Sequence, residues 1–198
     1  MPTVLCATAS SVERALPLLK ASSHLFVDLE GRNLGNEDGA LSVISIGTAL
    51  ARDIFIFDVL SLSVEDIRPV LDLIANTHTL KIVWDGRMDA IDFRRTYNVR
   101  FGRVLDLQIA DIVSRPERGV EDEVMMHSVP WHPLHPVRYY DTGGVHALVG
   151  LKQALESHGV ADKPERGNPS INHQDWMSRP LSREYLKYAA QDIVLISR

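Results

Sequence analysis

Over His24–Gly31 the chain reads His-Leu-Phe-Val-Asp-Leu-Glu-Gly, an alternating run with β-branched and aromatic residues that a glycine closes. That pattern predicts a strand. Leu41–Leu50, with Val43, Ile44 and Ile46, predicts a second, and Ile54–Val59 a third. A polar turn over Gly31–Gly39 and a tight turn at Arg52–Asp53 separate them, so the three predict a meander of adjacent antiparallel strands. A short strand around Val4–Ala7 and a helix lead in, with Ser10 or Ser11 as its cap and Val12, Ala15, Leu16 and Leu19 on one face.

Downstream the period lengthens. Val64, Ile67, Leu71 and Ile74 mark an amphipathic helix over Val64–Asn76. Leu80–Trp84 predicts a further strand, and Gly86 turns the chain into a helix near Met88–Tyr97. Val104–Leu105 reads as a brief extended piece, and Leu107–Val113, Val145–His158 and Arg183–Arg198 as helices. Ser182 caps the last, with Glu184 well placed in its first turn. Strands alternating with helices after a meander predict an α/β fold with a mixed, five-stranded sheet. No repeat or composition shift divides the chain, which predicts one domain over residues 1–198 with a long Pro/His-rich loop at about 115–144. His127, His132 and His135 lie in that loop, loosely spaced and with no cysteine or nearby carboxylate to complete a tetrahedral set, so a surface loop is the reading.

Three acidic positions stand out against this pattern. Residues two apart on a strand share a face, which puts Asp28 and Glu30 side by side. Paired carboxylates on an apolar strand fit a divalent cation held by oxygen ligands, or an edge strand that leaves both solvated. On the final helix Tyr188 and Asp192 lie one turn apart on a face otherwise suited to packing, unless the helix is rotated to expose Asp192. Asp89 falls in the first turn of its helix, where an aspartate is ordinarily a cap, and Asp85 precedes it at the strand's end.

Composition narrows the setting. The chain of 198 residues is 45% hydrophobic and 24% charged, enough for a proper core. Its net charge of −5 excludes a wholly basic nucleic-acid binder and leaves local basic patches or bridging metals for that role. Cys6 is the only cysteine, so there is no internal disulfide and no zinc pattern. No apolar run approaches the roughly 20 residues that span a bilayer. The expectation is an intracellular protein, of cytoplasm or nucleus, without a membrane partner.

Taken together the acidic positions resemble the DEDD-type 3′–5′ exonucleases of the ribonuclease H-like fold, in the subclass whose third motif carries a tyrosine. Phe26-Val-Asp-Leu-Glu-Gly31 resembles the first motif, Lys81 through Asp89 and on to Tyr97 the second, and Tyr188-Ala-Ala-Gln-Asp192 the third. Leu105-Asp106-Leu-Gln108, Gly150-Leu-Lys-Gln-Ala-Leu155, Asp175-Trp176 and Arg179-Pro-Leu-Ser182 are most similar to ribonuclease D-like members. The sequence departs from the family at Trp84-Asp85-Gly86-Arg87, and its Arg115–Gly144 segment is longer than the matching link.

The resemblance implies a three-layer ribonuclease H-like fold. It implies that Asp28, Glu30, Asp89 and Asp192 hold two divalent ions, Mg²⁺ or Mn²⁺, and that Tyr188 orients the attacking water. The implied substrate is single-stranded RNA or DNA, with RNA favoured, cut from the 3′ end to nucleoside 5′-monophosphates. Arg32, Arg87, Arg94, Arg95 and Lys187 are candidates for phosphate contact, Trp84 or Trp131 for base stacking, and His24 could line the site. Competing expectations are a catalytically idle RNA-binding or scaffolding module and a small-molecule phosphohydrolase using the same metal pair.

Overall fold

The computed structural model describes residues 2–119, 148–160 and 171–198. Its centre is a six-stranded mixed sheet in the order β1-β4-β3-β2-β5-β6. The strands are β1 (Thr3–Cys6), β2 (His24–Arg32), β3 (Ala40–Gly47), β4 (Ile54–Asp58), β5 (Leu80–Val83) and β6 (Val104–Asp106). β2, β3 and β4 form the expected antiparallel meander, whereas β1 joins β4, β5 joins β2 and β6 joins β5 in parallel. The sixth strand is the short piece at Val104–Asp106, which gains ladder bonds only because β5 lies beside it. Three residues carry too little pattern to announce a strand alone.

β2 lies inside the sheet, so the edge-strand reading of Asp28 and Glu30 does not hold. Its neighbours alternate between two cores. Val27 and Leu29 join Ile44, Ile46, Phe55 and Phe57 against α1 (Ala9–Ala21) and α2 (Val64–Ala75). Phe26 joins Val43, Ile54 and Ile56 on the other face, against Trp176 and the inward residues of the last helix, α6 (Arg183–Ile196). The result is the three-layer arrangement of helices, sheet and helices. α3 (Arg87–Tyr97), α4 (Leu107–Ser114) and α5 (Leu151–Ser157) complete the described α-helices, beside short 3-10 turns at Ala49–Ala51, Pro116–Arg118 and His173–Met177.

Two local expectations change. The α1 cap is Thr8, whose hydroxyl accepts from the Ser11 N–H while Ser11 Oγ accepts from the Thr8 N–H. Ser11 is thus the reciprocal partner of a capping box rather than the cap. α5 begins at Leu151, after an extended Gly150, and not at Val145, since residues 148–150 are irregular. Among the described residues no helix is long and apolar enough to cross a membrane. His127, His132, His135 and Trp131 lie outside the described residues.

Candidate active site

The site begins with β2. Asp28 stands opposite Ser45 and Glu30 opposite Val43, both on the face that α6 covers. A register shift between Glu30 and Gly31 breaks the ladder just past the second acid, and pairing resumes at Gly31 and Arg32. A Cβ on Gly31 would lie 2.2 Å from the Ala40 carbonyl oxygen, so this close strand approach requires glycine.

α6 reaches the same place for equally local reasons. Ser182 caps it by accepting from the Tyr185 N–H. Ala189, Ile193 and Ile196 are buried against the sheet. Where Ile193 crosses β3, a Cβ on Gly47 would sit 2.4 Å from Ile193 Cγ2, so the missing side chain sets how closely the helix descends. Tyr188 and Asp192 then flank the buried stripe, partly exposed and turned toward the β2 acids.

Asp28, Glu30 and Asp192 each bring a carboxylate oxygen into a group whose atoms all lie within 4.8 Å of one another. Burial, then the charges of Glu30, Asp89 and Asp192, push the Asp28 carboxyl well above its ordinary range. Burial and the charges of Asp192 and Asp89 do the same to Glu30. Asp192 is pushed up to about 6 by burial, opposed by the Lys152 charge and by the neighbouring Tyr188 hydroxyl. The Tyr188 phenol is itself driven upward by burial and by the charge of Asp192, Glu30 and Asp28.

Asp89 stands apart from the triad. It sits in the first turn of α3, which starts at Gly86 with no side-chain cap bond, so capping is not its role. It is 8% exposed and pushed up to about 8, by burial first and then by Asp92, Asp85 and Asp106. The turn before it is clamped from outside: Asp106 accepts the Asp85 and Gly86 N–H groups at 3.0 Å each and also caps α4 through Gln108 N–H. Asp85 adopts φ +52°, in the left-handed region that aspartate enters more readily than most residues. Arg87 grips it with two bonds of 2.5 and 2.9 Å. The Trp84-Asp85-Gly86-Arg87 departure therefore builds a self-paired turn in front of Asp89.

A cleft of about 450 Å³ opens beside the triad, lined by Asp28, Trp84, Lys152, Tyr188, Asp192 and Ile196 among others. Of the candidate substrate contacts, Trp84 lines it. Arg94, Arg95 and Lys187 are exposed elsewhere, Arg87 is committed to Asp85, and the His24 ring packs edge-on against Phe26 at 5.2 Å. Arg32 ends β2 outside the cleft lining. Lys81 is fully buried and donates to the Asn76 and Thr79 carbonyls, so it is no contact either. Lys152 is the cleft residue that sequence reasoning passed over, although it lies in the quoted Gly150–Leu155 motif.

The donor set fits a divalent ion. Three carboxylates converge, all hard oxygen ligands, in a partly buried place where their mutual repulsion favours a cation between them.

Comparison with known proteins decides the family. Residues 4–162, most of the chain, match the model of the 3′–5′ exonuclease domain. The chain belongs to the 3′–5′ exonuclease family. Members are metal-dependent, and this chain contains an acidic cluster. No curated protein matches the chain in sequence. Solved structures carry the fold further. The Trypanosoma brucei RNase D–GMP complex is similar with a TM-score of 0.74 at 20% identity, over 98% of this chain and 55% of that one. The same enzyme complexed with RNA U12 gives 0.72 at 21%, over 98% and 60%. Escherichia coli RNase D, an exoribonuclease involved in structured RNA processing, gives 0.68 at 15%, over 99% and 42%. The Aedes aegypti Nibbler EXO domain gives 0.64 at 21%, over 98% and 84%. This family member thus spans a little over half the length of the RNase D chain it resembles.

Proposed function

We propose that the chain is a single catalytic domain that hydrolyses single-stranded nucleic acid from the 3′ end, RNA in preference to DNA, releasing nucleoside 5′-monophosphates. The observation that carries this is the convergence of Asp28, Glu30 and Asp192 within 4.8 Å at the wall of an open cleft. The similar RNase D captured with GMP and with RNA U12 supports the substrate class.

In this reading Asp28, Glu30, Asp89 and Asp192 hold two divalent ions, Mg²⁺ or Mn²⁺. When bound, the ions supply an activated water and stabilise the charge that develops on the phosphate. The chain's own residues set the stage. Burial and neighbouring acids keep the Tyr188 phenol protonated, so it donates a hydrogen bond and positions the water rather than deprotonating it. Its ring lies beside Asp192 in the cleft lining and packs against Trp176 at a centroid distance of 6.2 Å. Asp89, outside the triad, would complete the set at longer range, and the Asp106-clamped turn before it supports that reading.

The test is a gel assay of 5′-labelled single-stranded RNA and DNA with Mg²⁺, Mn²⁺ or EDTA, with Asp192→Ala beside it. The expected result is a ladder shortening from the 3′ end, abolished by EDTA and by the substitution. Intact label in every lane overturns the reading in favour of an idle binding module. Activity confined to mononucleotides or short oligonucleotides, assayed beside the polymers, overturns it in favour of a small-molecule phosphohydrolase.

A further inference from the structure

The cleft has one-sided charge. Asp28 and Asp192 line it, Glu30 completes the triad behind them, and Asp89 adds its field from α3. Among the described residues that line the cleft, Lys152 is the one cation. It stands at the second position of α5, on the wall that meets Tyr188 and Asp192. Ala154 and Leu155 are buried and pin the helix, while Lys152 is left exposed at the cleft mouth. Its charge reaches the acids, since it acts on Asp192 against the effect of burial.

A nucleic-acid strand entering such a cleft brings its own negative charge beside several carboxylates. Ions held by Asp28, Glu30 and Asp192 would neutralise one side of an incoming phosphate. The other side needs a donor on the facing wall, or it is left against solvent and acidic protein. A lysine suits that place: a compact ammonium with three N–H donors on a flexible stem, able to follow a phosphate as the strand advances.

We propose that Lys152 binds the phosphate at the 3′ end of the substrate strand, donating to a non-bridging oxygen where the strand passes between α5 and Tyr188. The inference rests on the exonuclease reading and names a residue of that site. As a phosphate contact it is blind to base identity and acts on binding and register of the strand.

The test pairs kinetics with binding. Steady-state hydrolysis of a single-stranded oligonucleotide is measured for wild type, Lys152→Met, Lys152→Gln and Lys152→Arg. Anisotropy of the same labelled oligonucleotide follows, with Ca²⁺ in place of the catalytic ion, across a salt series. Lys20→Met, on α1 across the sheet, is the charge control. Losing one charged hydrogen bond raises KM about tenfold while kcat stays within about twofold. The slope of log affinity against log salt becomes shallower by about 0.7, the contribution of one single-strand phosphate contact. Lys152→Arg recovers most of both, and Lys20→Met alters neither.

Wild-type KM and salt slope in Lys152→Met, or a loss of kcat alone, overturn the assignment. Thermal melts accompany each protein, and if Lys152→Met melts early the same comparison is read from Lys152→Gln and Lys152→Arg. Wild-type protein that binds the strand without cutting it sinks the catalytic reading alone, because the salt slope still tests Lys152. Wild type that binds no strand overturns both.

Discussion

At the scale of single residues, the site is a cluster of carboxylates that resist joint ionisation. Asp28 faces Glu30 and Asp192 across less than 4.8 Å, and burial raises all three. Replacing Asp28 with Asn keeps the shape and removes one repelling charge. The expected outcome is loss of hydrolysis together with a higher melting temperature in EDTA, read by calorimetry; an equal or lower temperature contradicts the repulsion argument. The pH dependence has a definite sign. Asp192 and Asp89 have folded values of about 6 and about 8, above an unfolded value near 4. Between those limits the folded state binds more protons than the unfolded one, so metal-free stability is greatest below about pH 4 for these groups and falls as pH rises through 6 to 8. A divalent ion held by these carboxylates should oppose the fall, raising stability by about 2.7 kcal/mol at a hundred times its Kd. Melting curves from pH 5 to 8.5, with EDTA and with each ion, check both statements.

Elements determine whether these residues meet. α6 is lowered onto β3 at Gly47, and an added methyl there meets Ile193 Cγ2 at 2.4 Å, one residue from Asp192. Gly47→Ala should cost about 1–3 kcal/mol by overpacking and push the helix outward. The prediction is a folded protein, by circular dichroism, whose kcat drops tenfold or more on the order-of-magnitude scale of a misplaced reacting group. Ile193→Ala in the same chain makes room for the methyl and should restore part of the rate. A double variant no better than Gly47→Ala alone would exclude this steric account. The capping pattern shows the limits of reading elements from sequence. Ser182 at α6 was legible because a lone hydroxyl precedes the periodic run. Near α1 the closely spaced Thr8, Ser10 and Ser11 offer several caps, and only the folded geometry, with the Thr8–Ser11 capping box, selects Thr8.

At the scale of the whole molecule, an ion pair between buried Asp58 and partly exposed Arg179 ties the approach to α6 onto the sheet. Arg179 donates to both Asp58 oxygens at 2.8 and 2.7 Å, to Ser42 Oγ at 2.9 Å and to the Trp176 carbonyl at 2.9 Å. Ser42 Oγ donates in turn to the same Trp176 carbonyl. Burial raises Asp58, but the Arg179 guanidinium and Ser61 outweigh it and hold the carboxyl below its usual range. The stability this pair contributes is therefore present above the unfolded carboxyl value and lost as pH falls through the folded one. Arg179→Met leaves Asp58 buried without its partner, and urea unfolding should show a loss of about 3–5 kcal/mol. A loss below about 1 kcal/mol would mean that water replaces the guanidinium, in the range of an exposed pair.

By itself the sequence determined the order and period of the elements, the antiparallel meander, and the sharing of one strand face by Asp28 and Glu30. These follow from backbone periodicities of two and 3.6 residues, which act within a short window. It also carried the spacing of Tyr188 and Asp192, for the same reason. Only the tertiary structure decided that β2 lies inside the sheet, that a three-residue stretch becomes the sixth strand, and that Asp192 closes on the β2 acids while Asp89 stands outside their triad. It alone turned Lys152 into the cleft and Lys81 into a helix end, though both are lysines in motif-like runs. Each of those outcomes depends on contacts between residues far apart in the chain. Their geometry is set by packing, as with Gly47 beneath Ile193, and no local pattern encodes that distance.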